Sequence, residues 1–286
     1  MQHGPAVRRR KLGEELRRLR DLAGFTSEEA AGRLGWHQSK VSRIETGRSG
    51  VKLADVARML DAYGVRDPGL RDLLGALAHT DGESGHRHWW HRYRRLLPAS
   101  YRDFISLESQ ACRARTLEMS VVPGLLQTRG YATAVTRAVL RDLPEDQLET
   151  VVDVRLARQA VLSTERPLEL SAVLDESVLR RRVGGPEVMR EQLEYLSLMA
   201  QLRHVCLQVL PLAAGEHMGL TGSFVIFSFP NIADLDVVVI DHLMSSLYLE
   251  RKEDLKAYVT AFNSVQAHAL SPEKSLDLIA GIRDGA

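Results

Sequence analysis

Cysteine, long apolar runs and aromatic side chains are all scarce in this chain. Its 286 residues include two cysteines, Cys112 and Cys206, which provide neither a disulfide framework nor metal-ligand spacing. We expect both to be buried thiols in a reducing compartment. No run approaches the roughly 18 consecutive apolar residues of a membrane span. The basic start MQHGPAVRRRKLG is not followed by the apolar segment of a secretory signal. We therefore expect a cytoplasmic protein without a membrane partner.

Signatures of catalysis and of metal binding are also missing. No G-x-S-x-G, H-E-x-x-H, Walker or G-x-G-x-x-G motif stands between a predicted strand and a predicted helix. Asp175 and Glu176 are adjacent and point apart, which favours a helix cap over an acid/base pair. The three histidines of HRHWWHRY, residues 86–93, have no cysteine or carboxylate at ligand spacing. We expect no enzyme, no metal and no cofactor.

Charge is unevenly distributed along the chain. Residues 1–66 hold 14 Lys and Arg against 8 Asp and Glu, a balance of +6. Because the whole chain carries +1, the remaining 220 residues sum to −5. A basic N-terminal segment followed by an acidic remainder predicts that any phosphate-binding surface lies in the N-terminal segment.

A short helix and a tight turn are predicted at the start of the stretch 26–47. The helix is expected over about residues 27–34, with Thr26 as its N-cap and acidic residues in its first turn. Gly35 then supplies the positive φ that a sharp helix exit requires.

A second helix follows this turn, over about residues 38–46. Val41 and Ile44 lie three apart on its inner face, and Gly47 ends it. The outer face carries side chains that can read base edges in a major groove, which are Gln38, Ser39, Ser42 and Arg43.

Four segments of the N-terminal part share a family pattern: LRRLRDLAG at 16–24, TSEEAAGRLG at 26–35, SKVSRIETG at 39–47 and LADVARMLDAYGV at 53–65. With them, residues 12–65 resemble a helix-turn-helix domain of the XRE type, the class of the phage-repressor DNA-binding domains. The resemblance implies a buried ion pair between Arg20 and Glu45. His37 departs from the pattern, because the family usually has Ser or Thr as N-cap there. Phosphate contacts are expected from Ser27, Lys40, Arg48 and Lys52.

Two domains are predicted from the order of helical, turn-rich and strand-like segments. A helix-turn-helix domain spans 1–79, and a linker with the pair Trp89-Trp90 as an anchor spans 80–97. Residues 98–286 mix helical segments, the first expected over 101–115, with short β-branched strands. We therefore predict a multi-domain chain. An all-α domain is followed by a larger α+β domain with a mostly antiparallel sheet.

The second domain also shares motifs with a known group: VPGLLQT at 122–128 followed by Tyr131, Arg158-Gln159, DESVL at 175–179, GGPEVMREQL at 184–193 and LPLAAGEHMGLTGSF at 210–224. It resembles the companion domain of antitoxin-like regulators from filamentous, sporulating bacteria. That resemblance implies pairing with a small protein from an adjacent gene. Candidates for a ligand pocket or partner surface are Trp90, Leu125, Gln127, Tyr131, Arg158 and Glu176, although each is also compatible with a core or capping role.

The sequence thus predicts a transcription regulator that binds double-stranded DNA. We expect a homodimer on a palindromic operator, with half-sites about one helical turn apart. The second domain is expected to control binding through a small-molecule effector or a small partner protein. Two alternatives stay open: an antitoxin-like protein whose main role is to bind a small partner, and a C-terminal domain with enzymatic activity.

Overall fold

Two units of unequal size make up the chain, Met1–Arg92 and Tyr93–Ala286. The computed structural model describes residues 4–78, 93, 97–229, 236–242 and 245–285. Except for residues 93 and 97, the predicted linker at 80–97 lies outside this part of the chain, and so does Trp90.

The described part of the first unit is helical. Its helices are α1 (Gly4–Leu22), α2 (Ser27–Leu34), α3 (Gln38–Glu45), α4 (Leu53–Ala62) and α5 (Pro68–Ala78). Leucines three or four residues apart on α1 pack into a common core with apolar residues of the other helices. The buried core residues include Leu12, Leu16, Val41, Ile44 and Met59.

The second unit combines helices with one sheet. Its helices are α6 (Ala99–Glu108), α7 (Arg129–Val139), α8 (Glu145–Ala157), α9 (Glu176–Arg180), α10 (Pro186–Met199), α11 (Lys252–His268) and α12 (Pro272–Asp284). Its strands are β1 (Arg113–Glu118), β2 (Glu169–Asp175), β3 (Val205–Leu210), β4 (Phe224–Ser228), β5 (Val237–His242) and β6 (Ser245–Leu249).

The six strands form a mixed sheet in the order β3-β2-β1-β4-β5-β6. The pairs β1–β2 and β2–β3 are parallel, and β1–β4, β4–β5 and β5–β6 are antiparallel. Helix α11 packs its buried Phe262 and Val265 against one face, and Phe104 of α6 meets Phe227 on the other at 5.3 Å between ring centroids. The predicted fold class, with a mostly antiparallel sheet, is confirmed.

Helix α6 is shorter than its sequence pattern predicts. The expected helix over 101–115 is wrong in its second half, because α6 ends at Glu108 and β1 begins at Arg113. Alanine and arginine at 113–115 favour a helix locally, but β1 pairs on both sides, with β2 and with β4. Sheet pairing therefore overrides local propensity at the centre of the unit.

The structure bears on three expectations from the sequence, which concern the cysteines, membrane spans and metal binding. Cys112 is exposed and Cys206 is half-buried, so the expectation of two buried thiols is wrong. Within the described ranges, none of the helices has the length and apolar character needed to cross a membrane. In the same part of the chain, no cluster of three or more His, Cys, Asp or Glu side chains is arranged to hold a metal ion.

Candidate nucleic-acid interface

Helix α2 and the turn after it set the direction in which the next helix leaves. Thr26 accepts a hydrogen bond from the Glu29 amide at 3.2 Å, and the Glu29 carboxylate accepts one from the Thr26 amide at 2.8 Å, which completes a capping box. At the other end Gly35 has φ 68°, in the left-handed region that favours glycine. Both ends of α2 are therefore determined by local chemistry.

Helix α3 is held from its inner side. Val41 is fully buried and Ile44 is 2% exposed in the core of the unit. The backbones of α1 and α3 touch: a Cβ on Gly13 would collide with the carbonyl oxygen of Ile44 and would lie 2.6 Å from that of Glu45. His37 provides no side-chain cap, so packing rather than capping defines where α3 sits.

A buried ion pair ties α1 to the end of α3. Arg20 Nε and the Glu45 carboxylate are 2.7 Å apart, and a second bond of 3.0 Å makes the contact bidentate. Both side chains are less than a tenth exposed. The hydrogen bond to Glu45 raises the pKa of Arg20 against the effect of burial. Arg20 also donates to the carbonyl of Phe25 in the connection to α2, so one guanidinium fastens three segments.

The outer face of α3 is polar and accessible. Gln38, Ser39 and Arg43 are exposed, and Ser42 is half-buried. Gln38 Nε2 donates to Ser27 Oγ at 3.1 Å, which joins the first residues of α2 and α3. Arg43 Nε donates to the carbonyl of Ser39 at 3.2 Å. The Arg43 side chain thus lies along α3 and that of Gln38 reaches α2, and both carry further N–H donors of the kind that suits base edges.

The four expected phosphate contacts fall into two groups. Arg48 and Lys52 are exposed. Lys40, by contrast, lies 2.9 Å from a carboxylate oxygen of Asp55 and 3.6 Å from the ring centroid of Trp36. Lys40 thus links α3 to α4, a role that sequence reasoning missed although an aromatic four residues earlier is a readable signal. Ser27 is half-buried and bonds to Gln38.

The candidates in the second unit lie mostly inside it. Leu125, Gln127, Tyr131 and Arg158 are at most 5% exposed, and Glu176 is 8% exposed. The Tyr131 hydroxyl accepts the Val122 amide at 3.1 Å, and Gln127 Nε2 donates to the Val122 carbonyl at 2.7 Å. The first bond ties the loop between β1 and α7 to the first turn of α7, and the second closes the loop on itself.

Arg158 forms the centre of a second buried ion pair. It contacts the Glu108 carboxylate through two bonds of 2.8 Å, and Nη1 donates to the Tyr101 hydroxyl at 2.9 Å. Burial alone would lower the pKa of Arg158, but Glu108 and Tyr101 together raise it. Glu176 accepts bonds from the Leu212 amide and from Arg180. The hydrogen bonds of these candidates thus join segments of the unit to one another.

Glu118, at the end of β1, was not singled out by sequence reasoning. Burial raises its pKa to about 7, against hydrogen bonds from Ser223 and Thr116 that lower it. Arg155 is close enough to act on it electrostatically, yet the buried Arg155 Nε has no hydrogen-bond partner in the described part of the chain. The sequence signal for this position is slight: Glu118 is the single carboxylate of β1 and stands at its last residue.

Comparison with known proteins divides the chain in the same way. A family model described as "Helix-turn-helix domain" matches residues 11–74. A second, described as "Domain of unknown function (DUF5753)", matches residues 101–281 and thus more than half of the chain. No curated protein and no solved structure matches.

Proposed function

Because the chain belongs to the DUF5753 domain family and carries a helix-turn-helix domain, we propose that it is a sequence-specific transcription regulator of the XRE type. The N-terminal unit binds duplex DNA, and the C-terminal unit controls that binding. The matched family description states no function for the C-terminal unit, so its controlling role is part of the proposal.

One observation carries the DNA-binding proposal. Val41 and Ile44 anchor the inner face of α3 in the core. Its outer face exposes Gln38, Ser39 and Arg43. A rigid helix with short polar and guanidinium side chains in its first turns suits insertion into a major groove. Arg43 can bind guanine O6 and N7, and Gln38 can bind adenine N6 and N7.

The first experiment is selection of bound duplexes from a random pool by the full chain. A helix-turn-helix monomer contacts one half-site, so we expect a palindromic consensus with half-sites about one helical turn apart, bound by a homodimer. A single unrepeated half-site would contradict the dimer. No enrichment at low ionic strength would contradict DNA binding itself.

The second experiment changes Arg43, the base reader with the clearest geometry. Arg43→Ala should relax specificity at one base position of the selected site, by about 1–3 kcal/mol in a titration against single-base variants. The control is Arg17→Ala, which removes the same charge from an exposed position on α1. If both variants lose affinity equally for all duplexes, α3 does not read bases.

Two forms of control by the C-terminal unit follow from the proposal. A small molecule bound there would change DNA affinity, which a thermal-shift screen with metabolites tests. A small partner protein from an adjacent gene would co-purify with the chain, as expected of an antitoxin-like protein. Absence of both effects would contradict the controlling role and leave the DNA-binding proposal standing.

A further inference from the structure

A cleft of about 280 Å³ opens in the second unit between α9, α10 and α12. None of the site candidates discussed above lines it, although the lining residue Arg180 contacts the candidate Glu176. We propose that this cleft binds a small apolar molecule that carries one anionic group. The proposal concerns binding alone and holds whether or not the chain regulates transcription.

The walls of the cleft are two facing helix surfaces. Leu278, Gly281, Ile282 and Gly285 follow the spacing i, i+3, i+4, i+7 and therefore share one face of α12. Pro186, Met189 and Leu193 share one face of α10 in the same way. Ile279, next along α12, is fully buried on the core side, while Leu278 and Ile282 are half-buried at the cleft. An apolar body fits such walls.

Glycine at position 281 keeps this space open. Gly281 lies inside α12, where glycine costs about 1 kcal/mol relative to alanine. Apart from its chain neighbours and the adjacent backbone of α12, no described heavy atom lies within 4 Å of the position that its Cβ would take, so packing does not require glycine there. The absent side chain instead leaves room for a bound molecule.

Charge at the cleft is positive. Arg180 and Arg182 line it, and no acidic side chain does. The Arg180 guanidinium is held by Glu176 at 2.6 Å. The Arg182 side chain is exposed and makes no hydrogen bond or ion pair with any residue that the structure describes. Arg182 therefore has donors available for a carboxylate or sulfonate whose apolar body occupies the cleft.

The test uses two fluorescent probes on the full chain. 1-Anilinonaphthalene-8-sulfonate is an apolar anion, and N-phenyl-1-naphthylamine is its neutral counterpart. We expect saturable binding of both, with one high-affinity site. Gly281→Leu should weaken both by about tenfold or more, because the new side chain fills the cleft. Gly32→Leu is the control, since Gly32 also lies in a helix with open space around it but in the first unit.

Arg182→Ala tests the contribution of the charge to binding independently of the apolar walls. It should weaken the sulfonate by about tenfold and leave the neutral probe within about twofold, because a charge-assisted bond is lost. Arg181→Ala, at the adjacent exposed arginine that does not line the cleft, should change neither.

Three results would overturn the proposal: no saturable binding of either probe, unchanged affinities in Gly281→Leu, or equal losses in Arg182→Ala and Arg181→Ala. Should Gly281→Leu fail to fold by circular dichroism, the two arginine variants decide the question.

Discussion

Buried arginine–carboxylate pairs occur in both units, Arg20–Glu45 in the first and Arg158–Glu108 in the second. Each is bidentate, and each guanidinium has an additional acceptor or aromatic neighbour. Removing two charges from water costs several kcal/mol, so such a pair adds little net stability by itself. Losing one partner is different, because the remaining charge stays buried without compensation.

Glu45→Ala should therefore destabilise the first unit by about 3–5 kcal/mol. Chemical denaturation of the full chain measures the change, followed by the fluorescence of Trp36 with Trp89 and Trp90 both replaced by Phe. The matched variant is Glu15→Ala, which breaks an exposed ion pair with Arg18 and should cost less than about 1 kcal/mol. Equal effects of the two variants would show that the buried pair does not tie α1 to α3.

Glu118 should make the stability of the second unit depend on pH. Its folded pKa of about 7 exceeds the ordinary 4.5, so the folded state holds a proton that the unfolded state releases between these values. The stability that protonated Glu118 contributes is complete below about pH 4.5 and is lost as the pH rises through about 7.

Glu118→Gln keeps the neutral form at every pH. Relative to the wild type, it should gain up to about 2–3 kcal/mol between pH 5 and pH 8. Melting temperatures across that range measure the difference. Glu169→Gln, at an exposed carboxylate on β2, should follow the wild-type profile. A constant offset between Glu118→Gln and the wild type would contradict the raised pKa.

At the scale of elements, the close contact between α1 and α3 requires glycine at position 13. Gly13→Ala would place a methyl group against the carbonyls of Ile44 and Glu45, so α3 must move or the unit must unfold. We expect a loss of about 1–3 kcal/mol and weaker DNA binding. Gly32→Ala, in open space on α2, should instead gain about 0.4–1 kcal/mol. Thermal melts compare the two, and a tolerated Gly13→Ala would contradict the close approach.

Strand β1 is central to the sheet although its sequence does not favour a strand. Its sequence, RARTLE, has helix-favouring residues and little of the β-branched character that predicts a strand. It nevertheless occupies the centre of the sheet, between one parallel and one antiparallel neighbour. Pairs such as Thr116 with Ala172 and with Val225 join residues more than fifty positions apart, which no local pattern can reveal.

At the scale of the whole molecule, the charge is divided between the basic residues 1–66 and the acidic remainder. Binding of duplex DNA should therefore weaken steeply with salt, because phosphate contacts release counterions. Arg48→Ala should weaken all duplexes alike and lower the slope of log affinity against log salt by about one. Arg141→Ala, an exposed arginine of the second unit, should leave the slope unchanged. Equal slopes in the two variants would contradict a phosphate contact at Arg48.

Turn chemistry and periodicity were enough to predict where α2 and α3 begin and end. Thr26, Gly35 and the spacing of Val41 and Ile44 are local signals, and the bounds predicted from them agree with α2 and α3 to within one residue. The predicted α+β class of the second unit was likewise readable from its alternating segments. Local signals suffice wherever a residue's conformation depends on neighbours a few positions away.

Only the tertiary structure decided what depends on distant contacts. In the fold, Lys40 forms an ion pair with Asp55, and Arg158 forms a buried one with Glu108. Burial raises the pKa of Glu118, and a cleft lies beside Gly281. Each of these properties depends on groups that are 15 or more residues apart in the sequence. Burial and charge pairing have no periodic signature in the chain. The sequence therefore nominated Lys40 and Arg158 for other roles and did not single out Glu118 or Gly281.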